Sequence, residues 1–300
     1  MNTTDLTAHY REHGFVVVPN VVEPATLRNL SATTDRLVAD ARGLTGHTDV
    51  YDLEETHQPD APRVRRIKRP HAIDKVYDEM ARYPRFIEIL VGLLGPDIRL
   101  QSSILNMKSA GYGAALDWHQ DCTFYPHTND DLLVAGVFLD DVGEDNGPVQ
   151  FLPGTQRGPI YDHHRDGRFV GAIRAADIVD LVSTAKTAIG AAGSVSFHHC
   201  RVVHGSSLNR SNRPRRILYY EMNSADAWPL LGLTKHYGPD PDKAFDVYNS
   251  RIVAGRPCEH PRLEKIPVEI PLPPPLHQGS IYEAQKSISD PFFDRTIVAR

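Results

Sequence analysis

Residues 196–216 read SFHHCRVVHGSSLNRSNRPRR, and this stretch overlaps two short apolar runs, Ser194–Phe197 and Arg216–Met222. Short runs rich in β-branched and aromatic residues that end at turn residues are typical of β-strands. Further runs of this kind lie earlier in the chain, at Ile98–Met107, Leu132–Leu139 and Val149–Leu152. The pattern predicts an antiparallel β-sandwich or barrel with helices packed outside it.

The residues before this region favour helices. The sequence predicts a helix over residues 5–13, a strand at Phe15–Val18 and an amphipathic helix that begins at Pro24. Residues 43–70 lack periodicity and are interrupted by glycine and proline, so we expect a long loop there. A second long helix is predicted over Lys75–Leu94.

Length and composition are those of an ordinary globular protein. The 300 residues are 41% hydrophobic and 24% charged, which is enough apolar material for one large core. We expect a single domain over residues 1–300: a mostly helical N-terminal layer and loop (1–97), a β-rich core (98–225) and a proline-rich C-terminal extension (226–300). The extension is expected to lie over the domain or over a partner subunit.

Charge and cysteine content exclude several classes of protein. A net charge of -5 argues against nucleic acid or an anionic membrane surface as the main partner. Cys122, Cys200 and Cys258 lie far apart and form no CxxC pair, so neither a disulfide framework nor a thiolate zinc site is expected. No apolar run approaches the roughly 20 residues of a transmembrane helix, and the N-terminus lacks the apolar segment of a signal peptide. We therefore expect a cytoplasmic protein.

His119-Gln120-Asp121 follows a glycine-interrupted loop, Ser109–Ala115. If this triplet continues a strand, the side chains at positions i and i+2 point the same way and can bind one metal ion. A second histidine would complete a 2-His-1-carboxylate triad, which holds Fe(II) on one face and leaves positions open for substrate and O₂. The triplet alone is a weak signal, because such triplets arise by chance in a chain with 15 histidines.

Three stretches taken in order resemble the phytanoyl-CoA dioxygenase family of Fe(II)/2-oxoglutarate oxygenases. They are Trp118–Asp121, Asn146–Thr155 with its Asn-Gly-Pro and Pro-Gly elements, and the HGSxxNxSxxxR pattern from His204 to Arg215. The resemblance spans about residues 10–225. It implies a mainly β fold with flanking helices (α+β), built on a double-stranded β-helix, or cupin-like jelly roll.

The resemblance also implies roles for particular residues. It makes His119, Asp121 and His204 the ligands of Fe(II). Arg215 would pair with the distal carboxylate of 2-oxoglutarate, a role that suits the planar, permanently charged guanidinium group. Ser206 would add a hydroxyl group to the same carboxylate.

Several assignments near these residues have rivals. Arg216 competes with Arg215, but neighbours on a strand face opposite sides, and the family spacing favours Arg215. Relatives such as ectoine hydroxylases carry Gln, Asn and Lys before the metal motif, and the resemblance extends these cofactor-binding roles to Gln101, Asn106 and Lys108. An ungapped alignment puts Ser102 at the Gln position instead of Gln101.

For the reaction, the resemblance implies a dioxygenase that uses Fe(II), 2-oxoglutarate and O₂. Such an enzyme would oxidise, and in the first instance hydroxylate, a small organic metabolite or natural-product intermediate, with succinate and CO₂ as co-products. Asp121 stands where the halogenating relatives have a small residue, so halogenation is not expected. We expect a small-molecule substrate and a monomer or homodimer, with no nucleic acid or membrane partner.

Two other functions fit part of the pattern. Imidazole and carboxylate also suit zinc, so a zinc-dependent hydrolase or cupin-type isomerase could use the same three ligands. Arg215 and the His204 motif count against it, because a hydrolase needs no site for an oxoacid. A non-catalytic jelly-roll binding protein would need neither the triad nor the arginine.

Other side chains have two interpretations each. His198 or His199 could replace His204 as the second histidine ligand, or could support the ligands by hydrogen bonds. The basic run Arg63–His71 is either a clamp for an anionic substrate or a solvated loop. Four aromatic residues either line the pocket or pack in the core: Trp118, Phe124, Tyr125 and Trp228. Three further histidines have no supporting context and are assigned no role: His127, His163 and His164.

Overall fold

The computed structural model describes residues 3–111 and 113–295. Its strands are β1 (Phe15–Val18), β2 (Tyr51–Leu53), β3 (Val64–Lys68), β4 (Ile98–Lys108), β5 (Leu116–His119), β6 (Leu132–Phe138), β7 (Val149–Phe151), β8 (His164–Arg165), β9 (Arg168–Phe169), β10 (Lys186–Thr187), β11 (Val195–His199), β12 (His204–Ser206), β13 (Arg215–Ser224) and β14 (Ile252–Ala254). Its helices are α1 (Thr3–His13), α2 (Pro24–Asp40), α3 (Lys75–Ala81), α4 (Pro84–Leu94), α5 (Ala175–Val182), α6 (Leu233–Tyr237), α7 (Pro241–Ser250) and α8 (Ile281–Ala284).

The strands form two antiparallel sheets and a short β8–β9 hairpin. The larger sheet has the order β1-β11-β6-β13-β4-β3-β2, with β14 also paired to β4, and the smaller one has the order β10-β7-β12-β5. Chain neighbours are often separated in the sheets, so each sheet collects strands from distant parts of the sequence. This is the mainly β arrangement with flanking helices that the sequence predicts.

Helices α1 to α4 cover the outer face of the larger sheet. Leu30 of α2 and Phe86 of α4 are fully buried in one cluster with Leu218 and Tyr220 of β13. The intervening residues of β13 face the other way, since side chains alternate along a strand. Arg215, Tyr219 and Glu221 line a cavity between the two sheets. The apolar helices thus fix which face of β13 is turned inward.

Two of the predictions for the first hundred residues are wrong. Residues 43–70 are not a continuous loop, because β2 and β3 lie within them and extend the larger sheet beyond β4. The segment Lys75–Leu94 forms α3 and α4 rather than one helix. The break falls at Tyr83-Pro84, where Tyr83 is extended as expected for a residue before proline. The larger sheet therefore takes three strands from the part expected to be mostly helical.

The predicted strands are confirmed with small changes in their ends. Phe15–Val18 matches β1, and Arg216–Met222 is lengthened to Arg215–Ser224. The segment after residue 226 contains α6, α7, β14 and α8 joined by extended chain, and it returns to the sheets at its end. Among the described residues, no helix has the length and apolar character needed to span a membrane.

Candidate metal and cofactor site

A cavity of about 210 Å³ lies between the two sheets. Its floor comes from β3, β4, β6, β11 and β13 of the larger sheet, and its roof comes from β5, β7 and β12 of the smaller one. Residues from the C-terminal extension, Ile281 and Tyr282, also line it. Both sheets and the extension therefore contribute to one site.

His119, Asp121 and His204 meet at the roof of this cavity. His204 of β12 lies directly opposite His119 of β5 in the strand register, and their ring centroids are 4.1 Å apart. Asp121 begins a short 3-10 turn just after β5, and its Oδ1 is 3.7 Å from the Nε2 atom of each histidine. Their potential ligand atoms all lie within 4.8 Å of one another. The turn, rather than a continued strand as expected, brings the carboxylate to the histidines.

Backbone carbonyl groups orient both rings. His119 Nδ1 donates to the carbonyl oxygen of Asp117 at 2.8 Å, and His204 Nδ1 donates to that of Val202 at 3.0 Å. A histidine that donates from Nδ1 keeps the lone pair on Nε2, which here points at Asp121. The two rings are therefore held in the form that can bind a metal ion.

The electrostatic environment favours the charge states of metal ligands. Burial lowers the pKa of His119, and burial together with the neighbouring His119 ring lowers the pKa of His204 well below its ordinary value. Burial alone would raise the pKa of Asp121, but the surrounding histidines, led by His204, hold it well below its usual range. Neutral imidazoles and an ionised carboxylate are the states in which these side chains coordinate metals.

The two other histidines of this stretch have different surroundings. His198 Nε2 donates to Asp121 Oδ2 at 3.2 Å, so His198 contacts a different carboxylate oxygen from the one nearest the His119 and His204 Nε2 atoms. His199 Nδ1 accepts a hydrogen bond from the backbone N–H of Arg201 at 3.1 Å. The geometry gives His198 a supporting position and keeps His199 apart from the triad.

Arg215 lies at one end of the cavity and is almost fully buried. Its Nε and Nη1 atoms have no hydrogen-bond partner among the described residues. The neighbouring Arg216 faces away and forms an ion pair with Asp140, with Nη2 2.7 Å from Oδ1. A buried guanidinium group with free donors is costly unless an acceptor binds it.

Of three residues predicted to contact the cofactor, two lie near this end and one does not. Asn106 lines the cavity, and its buried Oδ1 has no partner among the described residues. Lys108 lies behind the cavity wall, where its Nζ donates to Ser206 Oγ at 2.8 Å. Gln101 lies towards the opposite end, at a β-bulge that leaves it without a partner in β13, and its Nε2 donates to Glu221 at 3.4 Å. Lys108 thus positions Ser206, and Gln101 lies at the Glu221 end instead.

The sequence did not single out Glu221 or Tyr219, which also line the cavity, as does Arg66 of the basic run. Glu221 was already within a predicted strand, and counting by twos from Arg215 would have found both it and Tyr219. Burial and the nearby Asp121 carboxylate raise the pKa of Glu221 to about 8. Arg66 comes from the basic run Arg63–His71, and its Nε donates to Asp52 at 2.7 Å. Only Val64–Lys68 of that run form a strand, while Arg69 is exposed, so the solvated-loop interpretation fails for the strand alone.

The aromatic residues divide into two pairs. Phe124 and Tyr125 line the cavity. Trp118 is fully buried against Phe292 and Phe293, and Trp228 packs against Tyr248. Of the two interpretations, lining the pocket therefore applies to Phe124 and Tyr125, and packing applies to Trp118 and Trp228.

The C-terminal extension supports the strand that carries His119. Asp117 Oδ1 accepts hydrogen bonds from the backbone N–H groups of Phe292 and Phe293, each at 3.0 Å. A Cβ atom on Gly205 would lie 2.8 Å from the Phe293 ring and 3.0 Å from the Leu116 carbonyl oxygen. The glycine of the His-Gly-Ser motif is thus needed where β5, β12 and the extension approach one another closely.

A second group of possible ligands lies outside the cavity, formed by Asp162, His164 and Glu269. These side chains are already joined to one another, since His164 Nδ1 is 2.6 Å from Glu269 Oε1 and 3.3 Å from Asp162 Oδ1. Asp162 is exposed. Mutual hydrogen bonds therefore account for this group.

The residues in the cavity fit Fe(II) and 2-oxoglutarate. Two imidazoles and one carboxylate on one side are the donor set of non-haem iron oxygenases. Arg215 offers free donors for a carboxylate, and Ser206 lines the same cavity from the other sheet. The site thus has a place for the metal and for the acidic end of the oxoacid.

Comparison with known proteins finds relatives that are dioxygenases. The family model described as phytanoyl-CoA dioxygenase (PhyH) matches residues 10–217. A probable alpha-ketoglutarate-dependent hypophosphite dioxygenase from Stutzerimonas stutzeri is 32% identical over 288 residues, which is 95% of this chain and 97% of the relative. An ectoine dioxygenase from Bordetella bronchiseptica is 27% identical, with 75% of this chain and 76% of the relative covered.

Solved structures share the fold. The epimerase SnoN in complex with Fe³⁺, alpha ketoglutarate and nogalamycin RO has a TM-score of 0.66 at 23% identity, covering 87% of this chain and 97% of that one. EctD from S. alaskensis with 2-oxoglutarate and 5-hydroxyectoine has a TM-score of 0.65 at 20% identity, covering 91% and 89%. The predicted jelly-roll fold is confirmed.

Proposed function

The chain belongs to the phytanoyl-CoA dioxygenase family and is an Fe(II)- and 2-oxoglutarate-dependent dioxygenase, and from this premise we propose the roles of its residues and the class of its substrate. His119, Asp121 and His204 bind Fe(II). The alternatives of a zinc-dependent hydrolase or isomerase and of a binding protein have no support, because the relatives named above depend on alpha-ketoglutarate.

Arg215 and Ser206 bind the distal carboxylate of 2-oxoglutarate in this proposal. The single observation that carries it is the buried Arg215 guanidinium group, whose Nε and Nη1 atoms lack partners among the described residues while its neighbour Arg216 is fully paired. Lys108 Nζ donates to the Ser206 hydroxyl group from outside the cavity. The Asn106 amide group, on the strand paired with β13, is available to bind the cofactor. Gln101 lies too close to Glu221 for the cofactor role predicted from the sequence, so we assign it to the substrate end.

Bound Fe(II) and 2-oxoglutarate supply the activation of O₂ and the oxidation of the substrate, with succinate and CO₂ as co-products. The protein's own residues position and shield the reactants. Asp121 is fixed by His198, and the rings of His119 and His204 are fixed by backbone carbonyls, so the ligands need little rearrangement. Phe124 and Val134 help to exclude water from the cavity.

The substrate is a small polar molecule that is hydroxylated. At about 210 Å³ the cavity is smaller than the roughly 300–1,000 Å³ of sites for drug-sized ligands, which favours a small substrate over a bulky thioester. Glu221 and Tyr125 give its far end polar groups. An organic metabolite fits this description. So does a small phosphorus oxyanion, which is favoured by the S. stutzeri relative because that protein matches nearly the whole chain.

The chain acts in a reducing cytoplasm as a monomer or homodimer in this proposal, with no nucleic-acid partner. Cys122, Cys200 and Cys258 are unpaired thiols, which supports a reducing compartment.

The test begins without oxygen. Fe(II) and 2-oxoglutarate added to the metal-free protein should produce the weak visible charge-transfer band of the chelate, and its absence with fully loaded iron would overturn the proposal. Succinate release is then measured with hypophosphite, ectoine, L-proline and phytanoyl-CoA. Stimulation by a small substrate but not by the thioester is expected, and the reverse result would overturn the substrate class.

A further inference from the structure

Gln120, the residue between two of the proposed metal ligands, is fully buried and enclosed by a loop. Its Oε1 accepts from the backbone N–H of Tyr161 at 2.9 Å, and its Nε2 donates to the carbonyl oxygens of Pro159 at 3.1 Å and Arg201 at 2.8 Å. Every polar atom of this side chain is therefore bonded. Two of the bonds join Gln120 to the loop at residues 159–163, and the third joins it to the turn after β11.

The same loop also binds the Gln120 backbone. The Gln120 N–H donates to Nε2 of His163 at 2.9 Å, and His163 is completely buried. Because Nε2 accepts, the ring proton is on Nδ1, which lies 2.7 Å from the Tyr161 carbonyl oxygen and 3.1 Å from Glu269 Oε2. Glu269 Oε1 accepts from the His163 backbone N–H at 3.0 Å. One carboxylate thus fixes both the ring and the backbone of His163.

Glu269 belongs to the proline-rich extension, which lies outside residues 10–217 matched by the family model. The contact therefore joins a segment beyond the family's matched range to the centre of the metal motif. The series of hydrogen bonds runs from Glu269 to His163 and from His163 to the Gln120 peptide group, between His119 and Asp121.

We propose that His163 and Glu269 are positioning residues of the metal centre, which hold the Gln120 peptide and so fix the spacing between His119 and Asp121. This inference rests on the proposed function. Neither residue touches the ligand atoms. Without the acceptor at His163 Nε2, the Gln120 peptide can rotate, and the His119 ring and the Asp121 carboxylate lose their fixed separation.

His164 provides the matched control. It follows His163 directly, and its Nδ1 is 2.6 Å from Glu269 Oε1, while its Nε2 is 3.1 Å from the Leu272 carbonyl oxygen. It therefore docks the same extension without contacting Gln120. A role in docking alone would affect His164 and His163 variants equally, whereas a role in positioning would affect only the latter.

The experiment compares Fe(II) affinity among the full-length wild type, His163→Leu, His163→Gln, Glu269→Gln and His164→Asn. Affinity is measured on metal-free protein by competition with a chelator, and the charge-transfer band is recorded after 2-oxoglutarate is added. His163→Leu is expected to bind Fe(II) about 10-fold more weakly and to shift the band, as loss of an outer partner of a metal site does. His163→Gln should recover most of the affinity, because its amide oxygen can accept from Gln120.

Equal Fe(II) affinity in His163→Leu and wild type would overturn the inference, as would an equal loss in His164→Asn. If His163→Leu does not fold, Glu269→Gln is compared with His164→Asn, and equal affinities overturn it. A wild type without the 2-oxoglutarate band overturns the proposed function instead, while the Fe(II) affinities of the variants still decide the positioning role.

Discussion

The two ends of the cavity differ in how their polar groups are satisfied. At the triad, on the smaller sheet, each ring donates to a backbone carbonyl and Asp121 is paired with His198. At the opposite end, on the larger sheet, the Arg215 guanidinium group keeps two nitrogen atoms without partners among the described residues. The polar groups of the first end are hydrogen-bonded to other groups of the protein, whereas the unpaired donors of the second end are complementary to an anion. In the proposed function, the metal binds at the first end and the distal carboxylate of the oxoacid binds at the second.

Of the substitutions that separate the two ends, replacement of Asp121 should have the largest effect. Asp121→Ala removes the only carboxylate of the triad, and we expect Fe(II) affinity and turnover to fall by at least about 100-fold, since loss of an outer partner alone costs about 10–100-fold. Iron titration and succinate release measure both effects. Asp49→Ala, at an exposed carboxylate, is the control. A variant that still consumed 2-oxoglutarate with substrate at the normal rate would contradict the assignment of the ligand.

Replacing Arg215 tests the other end. Arg215→Leu should raise the KM for 2-oxoglutarate by about 30-fold, because removal of one partner of a buried charge pair costs about 2 kcal/mol or more. Fe(II) affinity should stay unchanged. Arg216→Leu is the matched control on the same strand, and it should lower stability through its lost pairs with Asp140 and Asp35 without changing KM. If Arg216→Leu raised KM and Arg215→Leu did not, the two arginines would have to exchange roles.

Glu221, which lies near Asp121, should make the free energy of unfolding depend on pH. Its folded-state pKa of about 8 lies above the ordinary value of 4.5, so the folded state holds a proton that the unfolded state has lost between these pH values. This contribution to stability is complete below pH 4.5 and lost as pH rises through 8.

We therefore expect the stability of Glu221→Gln relative to wild type, measured without metal, to increase by about 4 kcal/mol between pH 5 and pH 9. Urea denaturation at several pH values measures this difference. A constant difference across the range would mean that Glu221 is ionised throughout.

The smallest expected effect is at Ser206, which faces Arg215 across the cavity. Ser206→Ala removes a hydroxyl group and leaves the Lys108 Nζ with one acceptor fewer, so the KM for 2-oxoglutarate should rise by about 5-fold, equivalent to about 1 kcal/mol. Ser207→Ala is the control, because Ser207 contacts Lys108 through its backbone oxygen only. Equal effects of the two substitutions would exclude a direct role of the Ser206 hydroxyl.

Much of the fold could be predicted because strand and helix periodicities are local. The alternating faces of β13 can be read from Arg215 to Met222. By contrast, β2 and β3 could not be predicted, because the Gly- and Pro-rich region around them carries little periodicity. The strand that β3 joins in the sheet, β4, lies beyond α3 and α4, and β2 pairs only with β3. A buried arginine such as Arg66 also reads as a surface residue until its partner Asp52 is known.

The candidate site shows the same limit. The motif residues His119, Asp121 and His204 do lie together, although their roles as ligands stay a proposal. The displacement of Gln101 by a bulge could not be foreseen, because a bulge depends on the pairing of two strands. His163 was assigned no role from the sequence, since its partners are 43 residues before it and 106 residues after it.

The sequence by itself determined a β-rich core with flanking helices and the alternation along β13 that puts Arg215 and Arg216 on opposite faces, because these follow from residues near one another in the chain. The jelly-roll class and the preference for Arg215 came from the resemblance to a family. Only the tertiary structure decided that a turn brings Asp121 to the histidines, that Lys108 lies behind Ser206, and that the C-terminal extension reaches the metal motif through Glu269. These contacts join residues far apart in the chain. Their free energy depends on strand register and burial, which no local pattern specifies.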